Sequence, residues 1–155
     1  MELARNLKVE SVCRLEPTPP LCLPPVRPVS EAVGLMRQHG VGCVLVCETG
    51  RLLGIFTERD LLRRVLAPSL GLEVPLSECM TPRPVCVQPT ESIGAALRRM
   101  EEGGYRHLPV VDDAGRAVGV LSVKRIVHYL VEHFPATIHC LPPDPDVFPH
   151  APEGA

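Results

Sequence analysis

Apolar positions along the chain switch between strand-like runs and helical spacing, and the whole pattern comes round twice. LCL, at residues 21–23, is a short apolar run that breaks at Pro24 and Pro25. Val29, Ala32, Val33 and Met36 then recur at helical spacing up to Gly40, which predicts a helix stopped by glycine. CVLV at 43–46 is continuous and of strand length. Gly50 marks a turn, LLGIF at 52–56 predicts a second strand, and TERDLLRRVL at 57–66 predicts a last helix. The second pass reads VCV at 85–87, then Ile93, Ala96, Leu97 and Met100 before Gly104. LPVV, a turn at Gly115, AVGVL and SVKRIVHYL complete it. Both passes predict the order strand, helix, strand, strand, helix.

The two passes align. At an offset of 64, residues 21–42 fall on 85–106, so that Cys22 meets Cys86, Pro25 meets Pro89, Met36 meets Met100 and Gly40 meets Gly104. One inserted residue near Asp113 raises the offset to 65. Gly54 then meets Gly119, Thr57 meets Ser122 and Leu61 meets Ile126. A unit of about 60 residues is marginal alone, and two related by a pseudo-twofold can bury their sheet faces against each other. The expected fold is α/β (α+β), two such units, each a short three-stranded sheet packed with two helices. The units divide as 1–70, with the N-terminal segment, and 71–134. A proline-rich tail follows at 135–155.

Composition narrows the function classes. The net charge of −2 and 3% aromatic content argue against a nucleic-acid binder, which needs cationic fields or stacking platforms. MELARNLKVESVC lacks the apolar core of a signal peptide. The longest strongly apolar run, VGCVLVC, is far short of the roughly 20 residues that cross a bilayer. The chain is therefore read as cytoplasmic. Seven cysteines are present with no CxxC and no zinc spacing. They read as small hydrophobes in apolar runs, with a metal or redox role as the alternative. Cys43 and Cys47 would share one face of a strand. His139 and Cys140 adjoin in the tail. No metal site is expected.

GIFTERDLLRRV, ECMTPRPVCVQPTESIGAAL and GYRHLPVVDDAGRAVGVLS together resemble the CBS domain family, named after cystathionine β-synthase, in its tandem form, the Bateman module. The resemblance covers roughly residues 10–134. It implies a small α/β pair that forms a homodimer. It also implies an adenosyl ligand (AMP, ADP, ATP or S-adenosylmethionine) bound between the units for regulation, with no catalytic residues and no required cofactor.

The candidate site follows from GIFTERD and GVLSVKR. Thr57 and Asp60 form a capping box in sequence, with Asp in place of Glu or Gln. The same pair suits a ribose, because a carboxylate accepts from two neighbouring hydroxyls and such charge-assisted bonds contribute about 1.5–3 kcal/mol each. The resemblance assigns them that second role. In the other copy Ser122 can cap, but Arg125 offers only donors. It has three readings: facing phosphates of a ligand held by the first copy, pairing with an acid, or solvated. Arg59, Arg106, His107 and Lys124 could offset phosphate charge, although His107 also reads as a core or interface histidine. The resemblance places adenine walls on the strands leading into each unit, Leu21 and Cys22 in one copy, Pro84 and Val85 in the other. The first copy has EPTPPLC where the second has MTPRPVC, and so lacks the Met-Thr pair.

Two functions remain. One is a regulatory module that senses an adenosyl ligand and modulates a separate effector protein, without a membrane or nucleic acid. The other is a structural dimerisation module with decayed ligand sites. No GxSxG, HExxH or phosphate-binding glycine loop points to an enzyme.

Overall fold

The structure, a computed structural model, describes residues 2–134. The expected tail, with His139 and Cys140, lies outside the described residues. Helix α1 (Glu2–Val9) and a 3-10 turn (Val12–Leu15) come first. The first unit follows as β1 (Cys22–Leu23), α2 (Val29–His39), β2 (Cys43–Glu48), β3 (Arg51–Thr57) and α3 (Glu58–Asp60), which runs on as a π-type helix over Leu61–Leu66. A short α4 (Leu76–Cys79) and β4 (Thr81–Pro82) lead into α5 (Ile93–Gly103), β5 (His107–Val111), β6 (Ala117–Ser122) and α6 (Val123–His133).

The repeat holds at the level of caps and core stripes. Gly40 and Gly104 end α2 and α5 at φ of +63° and +67°, the left-handed stop that glycine reaches without strain. Val29, Ala32 and Met36 are buried, as are their counterparts Ile93, Ala96 and Met100. Strand β2 is buried on both faces, which explains its unbroken apolar run. Val44 and Val46 join Phe56 and the helices in one core. Cys43, Leu45 and Cys47 join Ile55 and Val120 in a second cluster that cements the two units.

The units exchange their edge strands. β4, which leads into the second unit, pairs antiparallel with β3 of the first, Thr81 opposite Ile55. Reciprocally, Thr18, which leads into the first unit, bridges Val120 on β6, with N–H to O distances of 3.0 and 2.8 Å. The chains come so close that a Cβ on Gly54 would lie 2.9 Å from the Thr81 oxygen, and one on Gly119 3.0 Å from Pro17 Cβ and 3.3 Å from the Thr18 oxygen. Glycine at both positions is thus a packing requirement.

The sheets are consequently unequal. The first has four strands in the order β1-β2-β3-β4, and the second has β5 and β6. The run VCV contributes a parallel bridge, Val87 to Val110, in place of a full strand. The second unit takes its remaining cover from the N-terminus. Val12 and Leu15 are buried in its core, and Leu7 packs against it. In chain order residues 2–19 precede the first unit, whereas in space they cover the second.

Candidate functional site

The two seventh positions are built alike and wired differently. Thr57 caps α3. Its Oγ1 accepts from the Asp60 N–H at 3.2 Å, and Asp60 Oδ2 accepts from the Thr57 N–H at 3.0 Å and from its hydroxyl at 3.1 Å. The capping box is therefore formed. Asp60 Oδ1 accepts from the Thr81 hydroxyl at 3.1 Å and lies 3.5 Å from Arg64 Nε. Asp60 is the one buried charged residue among the described residues. Both its oxygens are engaged, which is the condition for keeping a carboxylate out of water. Its bond to Thr81 ties β4 to the start of α3.

Ser122 caps α6 in the same way, accepting from the Arg125 N–H at 3.1 Å. The Arg125 side chain turns to the N-terminal segment. Its Nε donates to the carbonyls of Leu15 (2.9 Å) and Glu16 (3.0 Å), and Nη2 lies 3.4 Å from Glu16 Oε2. Pairing with an acid, one of the three sequence readings, is formed. Glu16 itself sits at φ +49°, which turns the chain there toward Thr18. Arg125 thus fastens the segment that completes the second sheet, as Asp60 fastens the one that completes the first.

A cleft of about 650 Å³ opens between the units on the Arg125 side, within the usual size of a small-ligand pocket. Leu21, Val41 and Val120 give it apolar walls. Ser122, Lys124 and Arg125 bring the first turn of α6 to it, and His107, Thr18 and the Gly40–Cys43 loop also line it. Leu21, His107 and Ser122 therefore meet in one cleft, together with Lys124 and Arg125, the two basic residues that the sequence set against phosphate in the second copy. The others, Cys22, Thr57, Arg59, Asp60, Pro84, Val85 and Arg106, do not line it. In the twin position Arg59 and Gly104, the counterparts of Lys124 and Gly40, are bonded to each other, Arg59 Nη1 to the Gly104 oxygen at 3.3 Å. Arg106 is exposed, and its carbonyl accepts from the Val123 N–H at 3.0 Å.

His107 lies at the junction of the units. A Cβ on Gly42 would sit 3.1 Å from its Cε1 and 3.6 Å from Glu58 Cδ, so the imidazole packs on bare backbone. Burial lowers its pKa, Glu58 partly raises it, and Arg106 lowers it further. At neutral pH it is an uncharged imidazole, able to donate one hydrogen bond and accept another but supplying no positive charge. Burial also pushes the neighbouring Cys43 thiol up to about 12, with Glu58 adding to it.

Thr18 and Pro19 were missed as site residues, yet a signal was present. At an offset of 63 rather than 64, Thr18-Pro19 falls on Thr81-Pro82. The structure uses that register, since Thr18 pairs with Val120 and Thr81 with its counterpart Ile55. The first copy therefore keeps the threonine of the Met-Thr pair as Thr18, one residue nearer the strand, with Pro17 in place of the methionine. Among the described residues no group of three His, Cys, Asp or Glu side chains could hold a metal ion. No described helix is long and apolar enough to cross a membrane.

Set against known proteins, the sequence matches the CBS domain family over residues 9–67 and again over 76–132. The CBS domain-containing protein CBSCBSPB3 of Arabidopsis thaliana is 38% identical over 105 residues, which are 67% of this chain and 19% of that one. The CBS domain-containing protein YhcV of Bacillus subtilis is 35% identical over 99 residues, 64% of this chain and 70% of its own length. The first three curated relatives are matched over only 13–19% of their length. Among solved structures, the CBS domain protein PAE2072 from Pyrobaculum aerophilum, complexed with AMP, is similar with a TM-score of 0.71 at 26% identity. That match covers 79% of this chain and 99% of the other. CBSX2 in complex with AMP gives a TM-score of 0.67 at 25% identity, covering 79% and 96%.

Proposed function

The chain belongs to the CBS domain family, and on that premise we propose that it is a sensor module taking an adenosine-containing ligand, AMP, ADP, ATP or S-adenosylmethionine, between its two units. It acts by binding, without turnover, and passes its occupancy to a separate effector protein. The observation that carries this reading is the cleft itself, apolar on Leu21, Val41 and Val120 and cationic where Lys124 flanks the first turn of α6. Adenine suits the apolar walls. Phosphate suits the helix N-terminus and its lysine. AMP in the structures of PAE2072 and CBSX2 supports the ligand class.

Thr57, Arg59, Asp60 and Arg106 form a second, latent site in this proposal. A ribose there must displace the Thr81 hydroxyl from Asp60, and a ligand must part Arg59 from Gly104. The open cleft therefore fills first. Leu62 and Leu66, at the end of the first unit, and Val127 and Val131, their counterparts on α6, are all exposed. Val127 and Val131 also line the cleft, and the exposed Leu62 and Leu66 support a homodimer through the last helix of the first unit.

Calorimetry with AMP, ATP and S-adenosylmethionine tests the assignment. Lys124→Glu should weaken AMP and ATP by about tenfold, a loss of about 1.4 kcal/mol, and Asp60→Ala should leave the first site intact. If Asp60→Ala abolishes binding and Lys124→Glu does not, the two clefts exchange roles. Absence of heat with every ligand at millimolar concentration favours the decayed dimerisation module.

A further inference from the structure

Cys22 and Cys47 are 25 residues apart in sequence, and their sulfurs lie 3.2 Å apart, the Cys47 thiol donating to Cys22. They sit on adjoining parallel strands, where Cys22 faces Leu45 in register and Cys47 follows two residues on. Strand β2 slips register against β3 between Val46 and Cys47, so the backbone at the second thiol is not locked into a regular ladder. The two thiols have complementary exposure. Cys22 is exposed and Cys47 is buried. The bond from Cys47 holds the Cys22 thiol near a pKa of about 7, against the opposing effect of its burial. That same bond, with burial, pushes Cys47 well above the ordinary thiol range. An accessible, readily ionised thiol beside a protected one is the arrangement of an attacking and a resolving cysteine.

We propose that Cys22 and Cys47 are a reversible disulfide site that staples β1 to β2, closed by low-molecular-weight disulfides such as oxidised glutathione. The Cys22 thiolate attacks one glutathione sulfur. The glutathione S–S bond breaks, one glutathione thiolate leaves, and a mixed disulfide forms at Cys22. Cys47 then gives up its proton and attacks the Cys22 sulfur, expelling the second glutathione thiolate. Two protein thiols are oxidised by two electrons, and one oxidised glutathione becomes two reduced ones, which take up the two protons. The staple lies next to the cleft, because Leu21 precedes Cys22 and its carbonyl accepts from the Leu45 N–H at 2.8 Å. Closing it fixes the wall that Leu21 forms. The chemistry of the pair is independent of whether that cleft takes an adenosyl ligand.

The full chain is equilibrated in buffers of graded oxidised-to-reduced glutathione, quenched with an alkylating reagent, and mapped by peptide mass. The expected result is a peptide pair cross-linked through Cys22 and Cys47, forming at a lower oxidised fraction than any other thiol modification and reverting with reduced glutathione. Cys47→Ser should trap one glutathionyl group on Cys22. Cys22→Ser should leave Cys47 unmodified over the same range. A parent protein that accumulates glutathione on Cys22 without closing the cross-link overturns the proposal, as does a Cys22 that stays reduced while Cys13 or Cys86 is modified.

Discussion

Residues 57–60 and 122–125 occupy equivalent places and carry opposite charges, yet they do one job. Each begins a helix with a hydroxyl cap. Each uses its last side chain to hold the strand borrowed from the other half, Asp60 through the Thr81 hydroxyl and Arg125 through the carbonyls of Leu15 and Glu16. The difference lies in what the borrowed segment offers. β4 presents the Thr81 hydroxyl, which donates to the Asp60 carboxylate. The N-terminal segment presents carbonyls as it leaves the 3-10 turn, so a donor is needed. The charge reversal is thus accompanied, in the fold, by a change of fastening.

The comparison breaks most severely at Arg125→Asp, which removes a charge-assisted N–H shared between two carbonyls, together with the Glu16 pair, and sets a carboxylate against both. A loss of about 3 kcal/mol is expected, seen as a fall in Tm of roughly 6–12 °C. Unchanged thermal stability would mean that the fastening contributes nothing. Asp60→Ala should cost less, about 2 kcal/mol, from a lost cap and an unpaired Thr81 hydroxyl. If the two fastenings are independent, the losses in the double variant should add to within about 0.5 kcal/mol in chemical denaturation. A larger discrepancy would show that the borrowed strands communicate across the inter-unit cluster. The smallest effect belongs to His107. Its pKa is lowered in the fold, so on acidification below about 6.5 the unfolded chain takes up a proton before the folded one does. Stability therefore falls as pH drops, by at most about 1.4 kcal/mol per pH unit. His107→Asn should flatten that slope between pH 7 and 5. An unaltered slope would place the titrating group elsewhere.

Much of this was legible beforehand because it rests on local periodicity. The helices on Val29–Met36 and Ile93–Met100, the glycine stops and the strands around Leu45, Ile55, Val110 and Val120 all follow from apolar spacing and turn chemistry. The caps at Thr57 and Ser122 were readable from a hydroxyl three residues ahead of a partner N–H. What escaped was non-local. Thr18 looks like part of a proline-rich lead, and its bridge to Val120 selects the offset of 63 that matches it to Thr81 and sets it at the cleft. VCV looks like a strand, yet it has a single bridge to β5. Cys43 and Cys47 share a strand face as expected, yet the partner of Cys47 is Cys22.

By itself the amino-acid order determined that the chain folds as two copies of one α/β unit, because helix and strand spacings, caps and turns act over a few residues and repeat in register. The tertiary structure alone decided which segment completes which sheet, which residues line the cleft beside α6, and what Asp60 and Arg125 hold. Those outcomes depend on donors and acceptors up to 110 residues apart, and a hydrogen bond between such groups is specified by where the packed cores bring them, not by their spacing along the chain.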